Sequence, residues 1–221
     1  MNHKVDCAPK PQRPPGVILA GGRATRMGGG DKGLLRLGRL RLIDHVIARL
    51  APQAGALAIN TNGDPGRWAG LELAVISDSL PDRPGPLAGV LAGMEWAANL
   101  GADCVLTVAS DTPFLPHDLV PRLLAAAAGS TSGLALAASP DTEGQPRTHP
   151  TCGLWPVALR AALRRDLQAG MRRTGRWAET QGAALALFDS TDGDPFFNVN
   201  TPEDLARADA ISRAGQPRRI R

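Results

Sequence analysis

The residues best suited to chemistry lie in one glycine-rich run and two carboxylate-bearing segments. The run is "LAGGRATRMGGGDKGL", Leu19 to Leu34, with six glycines and a lysine between an apolar segment and a helix-like one. Lys32 stands out because the chain otherwise relies on arginine. Of 25 basic residues only three are lysines, and the other two, Lys4 and Lys10, fall within the first ten positions. An ammonium is a compact point charge that can follow a phosphate as its geometry changes, whereas a guanidinium prefers a fixed planar fork. A lysine kept inside a glycine loop therefore points to phosphate chemistry, although a surface lysine of no special role would read the same way. The carboxylate segments are "SDSLPDRPGPLAG", with Asp78 and Asp82, and "ASDTPFLP", with Asp111.

Three readings of the loop compete. A Walker A loop needs serine or threonine after its lysine, and Lys32 is followed by Gly33, so that reading fails. "GGGDKG", Gly28 to Gly33, has the G-x-G-x-x-G spacing, but it begins eight residues after the strand ends. A dinucleotide loop sits in the first tight turn and wants an acid on the second strand, where this chain has "INTN". The third reading is a long anion-binding loop whose backbone N–H groups wrap a triphosphate, with Arg23, Arg26 and Lys32 adding charge. The residues favour the third.

Asp111 follows a buried strand, where a carboxylate has few partners unless a cation is present. Mg²⁺ is commonly held by one or two carboxylates together with ligand phosphates. The competing role is a cap for the helix near His117, and Asp118 is better placed for it. Asp78 and Asp82 also suit a rigid turn, and His149 in "RTHPT" reads by default as a loop residue.

These residues need a scaffold that brings them together, and the patterning supplies one. "GVILAGG" is a short β-branched strand, and "RLIDHVIARL" has apolar residues at helical spacing. "GALAIN", "LELAVISDS", "DCVLTVASD" and "SGLALAAS" are further strands, with helices "PLAGVLAGMEWAANLGA" and "HDLVPRLLAAAAG" between. This succession of strands and helices, with continuously apolar strands, implies an α/β fold, a mostly parallel sheet between helices. In such sheets ligands sit beyond the carboxyl ends of the strands. Gly21 and Gly22, Asn60 and Asn62, Asp78, and Asp111 all fall there. After Ser139 the order loosens: a polar loop runs into a short strand, helical patterns cover 157–170 and 172–181, and a last helix begins at "TPEDL". Thr201 is its expected cap, with Pro202 and Asp204 following.

At 221 residues with 43% apolar content, the chain can bury one sizeable core. We expect a loose N-terminal extension at 1–15, one domain at 16–211 and a basic tail at 212–221. The net charge of +4 suits small anions, because the basic residues are scattered and no basic block interleaves with aromatics. Nucleic acid is not an expected partner, nor is a membrane, since no apolar run reaches eighteen residues. Cys7, Cys104 and Cys152 lack metal-ligand spacing and fit a reducing cytoplasm. A monomer is the expectation.

With "LAGGRATRMGGGDKGL", "SDSLPDRPGPLAG", "SDTPFLP", "HPT" and "NVNTPEDL" in this order, the chain closely resembles the molybdenum cofactor guanylyltransferases over residues 16 to 211. The resemblance implies a Rossmann-like three-layer α/β/α nucleotidyltransferase fold. It further implies transfer of GMP from GTP to the phosphate of molybdopterin carrying molybdenum, with release of pyrophosphate. By the same resemblance Leu19, Ala20 and Gly21 contact the nucleotide and Lys32 its phosphates; Gly22 and Arg23 lie beside them. Asn60 and Asp78 belong to the GTP site, and Asp111 binds Mg²⁺. Gly29, Asp82, Gly85, His149, Asn198 and Asn200 match positions on the acceptor side or in the reaction. Related families place a second carboxylate on the metal near the last loop, where this chain has Asn198 and Asn200. The attacking phosphate oxygen is already ionised, so no general base is implied, and transient contact with molybdoenzyme chaperones follows from the product. A sibling using CTP and a non-catalytic nucleotide- or pterin-binding module are the remaining readings.

Overall fold

The computed structural model describes residues 13–21, 31–81, 85–191 and 193–214. Its central sheet has seven strands: β1 (Gly16–Leu19), β4 (Leu57–Asn60), β5 (Ala74–Ile76), β6 (Cys104–Ala109), β7 (Ala135–Pro140), β8 (Pro146–Pro156) and β9 (Ala184–Leu187). A two-stranded ribbon, β2 (Arg36–Leu37) and β3 (Leu40–Arg41), stands apart. The helices are α1 (Leu42–Leu50), α2 (Pro86–Asn99), α3 (Leu119–Ala128), α4 (Arg160–Gln168), α5 (Thr174–Thr180) and α6 (Pro202–Ala214). Strand order across the sheet is β5-β4-β1-β6-β8-β7-β9, and only β8 runs antiparallel to its neighbours. The mostly parallel three-layer architecture expected from the sequence is therefore what the chain forms.

Period-two alternation explains the layers. Ile18 and Ala20 face one apolar cluster, which holds Ile43, Val46 and Leu50 of α1 and Leu119 and Leu123 of α3. Val17 and Leu19 face the other, with Leu87, Val90, Leu91 and Met94 of α2 and Leu163 and Leu167 of α4. Every residue of β1 is buried, as a strand covered on both faces must be. A small third cluster of Leu37, Leu42, Val199 and Ala208 joins the ribbon to α6.

Two sequence expectations need correction. The polar stretch from Pro140 is not a loop entering a short strand: β7 and β8 form a hairpin, closed by Asp141 N donating to Gln145 O at 2.8 Å. Consecutive strands joined by so tight a turn pair antiparallel, and β8 then runs eleven residues. His149 accordingly lies on a strand. The register slips between Leu136 and Ala137, so that Leu136 faces Gly153 and Ala137 faces His149. Residues 150–152 are the extra ones on β8, a bulge that re-aims the strand end. Asp118, expected to cap α3, makes no cap hydrogen bond; its carboxylate instead accepts from Arg122 Nε at 2.7 Å. The capping of α6 does hold: Asp204 N donates to Thr201 Oγ1 at 3.2 Å and Asp204 Oδ2 accepts from Thr201 N at 3.0 Å.

No described helix is long and apolar enough to cross a membrane. Cys104 and Cys152 are free thiols, and burial pushes Cys152 up to about 12, which leaves it inert.

Candidate active site

Register alone aligns the site. Leu19 is level with Asn60 on one side and Ala109 on the other, and Asn60 is level with Ile76. Four strands thus end at one rim, and Gly21, Asn62, Asp78 and Asp111 each lie two residues past an end. The chain works outward from β1 through β4 to β5, then returns to place β6 on the other flank of β1. The gap between β1 and β6 is therefore the topological switch point, where open α/β sheets take their ligands.

Lys32 is delivered to that gap by the short 3-10 helix Lys32–Leu34. Two contacts fix this segment. Asp31 forms an ion pair with Arg67 at 2.9 Å, and Gly33 packs so tightly that an added Cβ would lie 3.0 Å from Ser110 Cβ and 3.4 Å from Trp68. The last glycine of "GGGDKG" is thus a packing requirement against β6. Lys32 Nζ then sits 3.6 Å from Asp111 Oδ2 and donates to Asn200 Oδ1 at 2.5 Å. Both charged side chains keep a little solvent contact, at 19% and 16% of their surface. Burial raises the Asp111 carboxyl above the usual carboxylate range, while the neighbouring Lys32 charge pulls the other way.

The loop before α6 closes over this pair. Val199 N donates to Asp111 O at 2.9 Å, and Thr112 Oγ1 donates to Asn198 Oδ1 at 2.6 Å. Asn198, Val199 and Asn200 are each linked to a residue of the rim, so two segments some ninety positions apart in sequence become one surface.

Towards β5 the rim is built differently. Asp78 accepts Asn60 Nδ2 at 3.0 Å on one oxygen and Asn62 Nδ2 at 2.6 Å on the other, and its own N–H donates to Asn62 Oδ1 at 2.9 Å. Asn60 is buried and reaches Asp78 only because α2 carries Gly89: a Cβ there would lie 2.3 Å from Asn60 Oδ1 and 2.9 Å from Leu19. Gly85 precedes α2 with φ +83°, a left-handed backbone that favours glycine, and nothing stands within 4 Å of where its Cβ would be. Gly21 has the same open space. With about 4.8 Å per strand gap, β5 and β6 are roughly 14 Å apart, which suits a nucleotide laid along the rim.

His149 lies on β8, the strand next to β6. Its ring stacks on Phe196 with centroids 4.3 Å apart, and its Nε2 is 2.7 Å from Ser139 Oγ. Burial holds it neutral, lowering it to about 4. Ser139 is fully buried, so the pair is no nucleophile and base; it props the loop that carries Asn198 and Asn200. Of the residues singled out in the sequence, Lys32, Asp111 and Asn200 converge directly, with Asn198 joined through Thr112. Asn60 and Asp78 form a second cluster, and His149 meets neither by a hydrogen bond among the described residues. Gly22, Arg23, Arg26, Gly29 and Asp82 lie outside the described residues. Arg67, Gly89 and Thr112 were not anticipated. Gly89 does close the segment "SDSLPDRPGPLAG" and Thr112 lies in "SDTPFLP", whereas Arg67 falls in no such motif.

The donor set fits one hard divalent cation sparsely. No group of three His, Cys, Asp or Glu side chains converges among the described residues. Among the described residues the oxygens of Asp78 are taken up by Asn60 and Asn62, which leaves Asp111 as the carboxylate beside Lys32, and this matches Mg²⁺ bound chiefly by phosphates and water.

Residues 16–183 match the family of the MobA-like NTP transferase domain. The molybdenum cofactor guanylyltransferase of Cereibacter sphaeroides is 50% identical over 198 residues, covering 90% of this chain and 96% of that one. Its counterpart in Nitrobacter hamburgensis is 46% identical over 200 residues, covering 89% and 93%. Among solved structures, molybdopterin-guanine dinucleotide biosynthesis protein A of Archaeoglobus fulgidus superposes with a TM-score of 0.68 at 21% identity, over 90% of this chain and 99% of that one. The 2-C-methyl-D-erythritol 4-phosphate cytidylyltransferase of Thermus thermophilus gives 0.65 at 22% identity, over 91% and 99%. At these identities the two structures speak for the fold alone.

Proposed function

The chain belongs to the MobA-like NTP transferase family, with molybdenum cofactor guanylyltransferases among its relatives, and from that premise we propose how its rim carries out the reaction. The activity is transfer of GMP from GTP to the terminal phosphate of molybdopterin carrying molybdenum. A phosphate oxygen of the acceptor forms a bond to the α-phosphorus of GTP, the bond to the β-phosphate oxygen breaks, and pyrophosphate leaves.

The observation that carries this reading is Lys32 beside Asp111 at the β1/β6 switch point. The nucleotide lies along the rim, its base towards Asp78 and its phosphates towards Lys32. A carboxylate at the base end accepts hydrogen bonds, and guanine offers two donor groups on one edge where cytosine offers one. Leu19, Ala20 and the open face of Gly21 line the path between. Asp111 would hold Mg²⁺, which would neutralise phosphate charge when bound. Lys32, which has three donors, adds the triphosphate to its contact with Asn200 and stabilises charge on the departing pyrophosphate. The acceptor approaches from the side of Gly85, His149, Asn198 and Asn200. No residue is needed to remove a proton, since the attacking oxygen is already ionised, and neutral His149 is occupied in packing. The protein contributes placement and charge compensation.

The test is pyrophosphate release with each of the four nucleoside triphosphates, Mg²⁺ and molybdenum-loaded molybdopterin. GTP is expected to support turnover and Lys32→Ala to abolish it. Turnover with CTP and none with GTP would overturn the nucleotide assignment.

A further inference from the structure

We propose that Thr112 is a positioning residue that sets the polarity of the acceptor loop. By donating to the carbonyl of Asn198 it turns that amide outward, so the loop offers N–H groups to the acceptor's phosphate and not oxygens to the metal. This deepens the reading of Lys32 and Asp111 as a guanylyl-transfer site and rests on it.

The orientation of the two asparagines follows from what their partners can do. An ammonium has donors only, so Lys32 must face the oxygen of Asn200, and its Nζ is 2.5 Å from Oδ1. The amide nitrogen of Asn200 is then the end left for another molecule. A hydroxyl can donate or accept, and in the structure Thr112 Oγ1 donates to Asn198 Oδ1 at 2.6 Å. Thr112 is itself 1% exposed, so its hydroxyl is held by packing, whereas Asn198 is exposed. Between them Val199 is fully buried and its N–H is tied to Asp111 O at 2.9 Å, which fixes the loop's height on the rim. Neither amide nitrogen donates to a side chain or carbonyl among the described residues. Both asparagine oxygens are spoken for and both nitrogens are offered. A phosphate oxygen wants N–H donors, while a magnesium ion wants oxygens. The loop is therefore an anion-reading edge beside the carboxylate of Asp111, which would hold the metal.

The decisive variants keep the shape and change the polarity. Thr112→Val removes the hydroxyl at nearly constant volume, and is expected to raise the KM for molybdenum-loaded molybdopterin about tenfold. KM for GTP and the Mg²⁺ concentration at half-activation should not move. Thr112→Ser restores the hydroxyl and should return the acceptor KM to near the wild-type value. Asn198→Asp keeps an oxygen for Thr112 but presents a second oxygen where the amide was. It should weaken acceptor binding further, with no gain in Mg²⁺ affinity measured by calorimetry on the protein without substrates. Tighter Mg²⁺ binding by Asn198→Asp would overturn the proposal. So would a Thr112→Val effect on GTP or metal in place of the acceptor, or a Thr112→Ser variant that behaves like the valine. A wild-type protein that releases no pyrophosphate with any nucleotide would sink the functional reading instead. The calorimetric comparison would still decide the polarity of Asn198.

Discussion

Asp78 and Asp111 sit at equivalent positions, each two residues past a strand of the same sheet, yet their surroundings are opposite. Both oxygens of Asp78 are met by asparagine amides, and its own backbone N–H is returned to one of them. Asp111 has one ion-pair partner among the described residues, Lys32 at 3.6 Å, and burial raises its carboxyl above the usual range. The first carboxylate is locked by its neighbours, a fixed acceptor that needs no ligand to be stable. The second is left short of positive charge, which is the condition for gathering a metal ion and a triphosphate. One sheet edge therefore combines a locked carboxylate with an under-compensated one, at the recognition and chemical ends of the proposed site, and the difference comes from neighbouring side chains, not from strand geometry.

The contrast is sharpest in paired neutral substitutions. Asp111→Asn should lower turnover about a thousandfold or more, because the residue proposed to anchor the cation is lost. It should leave the Tm at neutral pH unchanged or higher. The sign follows from linkage: a carboxyl whose folded pKa lies above its unfolded value loses stability as pH rises through that interval, so removing the charge relieves a cost. Thermal unfolding beside a pyrophosphate assay reads both effects.

Asp78→Asn should do the reverse. It places an amide against the Asn60 and Asn62 donors, with an expected stability loss of about 1–3 kcal/mol and a GTP affinity lower by about tenfold. Should both variants shift the Tm in the same direction, the distinction between a locked and an under-compensated carboxylate would not stand.

Gly89→Ala tests the locked end from outside. The new methyl would press on Asn60 Oδ1, displacing it from Asp78 at a cost of about 1–3 kcal/mol. GTP KM should rise severalfold while the Mg²⁺ requirement is unchanged, as a titration of each would record. The smallest effect concerns His149. Its folded pKa of about 4 lies below the unfolded value near 6.5, so between those limits only the unfolded chain takes up the proton. Stability should fall as pH drops through that window, and His149→Gln should flatten this part of the Tm-against-pH profile.

Much of this site was legible before any coordinates. Lys32 among arginines, Asp111 after an apolar strand and Asp78 before a proline-rich turn each carried a local signal, because strand ends and turns are written in composition over a few residues. Other parts carried no local sign of their role. Gly89 looks like any small residue in a helix until Asn60 is seen to need its space. Arg67 became relevant only when the chain folded back to put it beside Asp31. His149 read as a loop residue because its strand gains its partners from β6 and β7, and the polar residues before it hide the pairing.

By itself the sequence determined the alternation of strands and helices, the covered sheet, and the set of groups at the strand ends. These follow from periodicity, turn chemistry and residue type, all short-range properties. Tertiary structure decided which of those groups meet. The Lys32–Asp111–Asn200 contact joins residues up to 168 positions apart, and the orientation of Asn198 depends on a hydroxyl 86 positions away. Charge compensation and hydrogen-bond polarity depend on distances of a few ångströms between such segments, and those distances exist only once the sheet has closed its order.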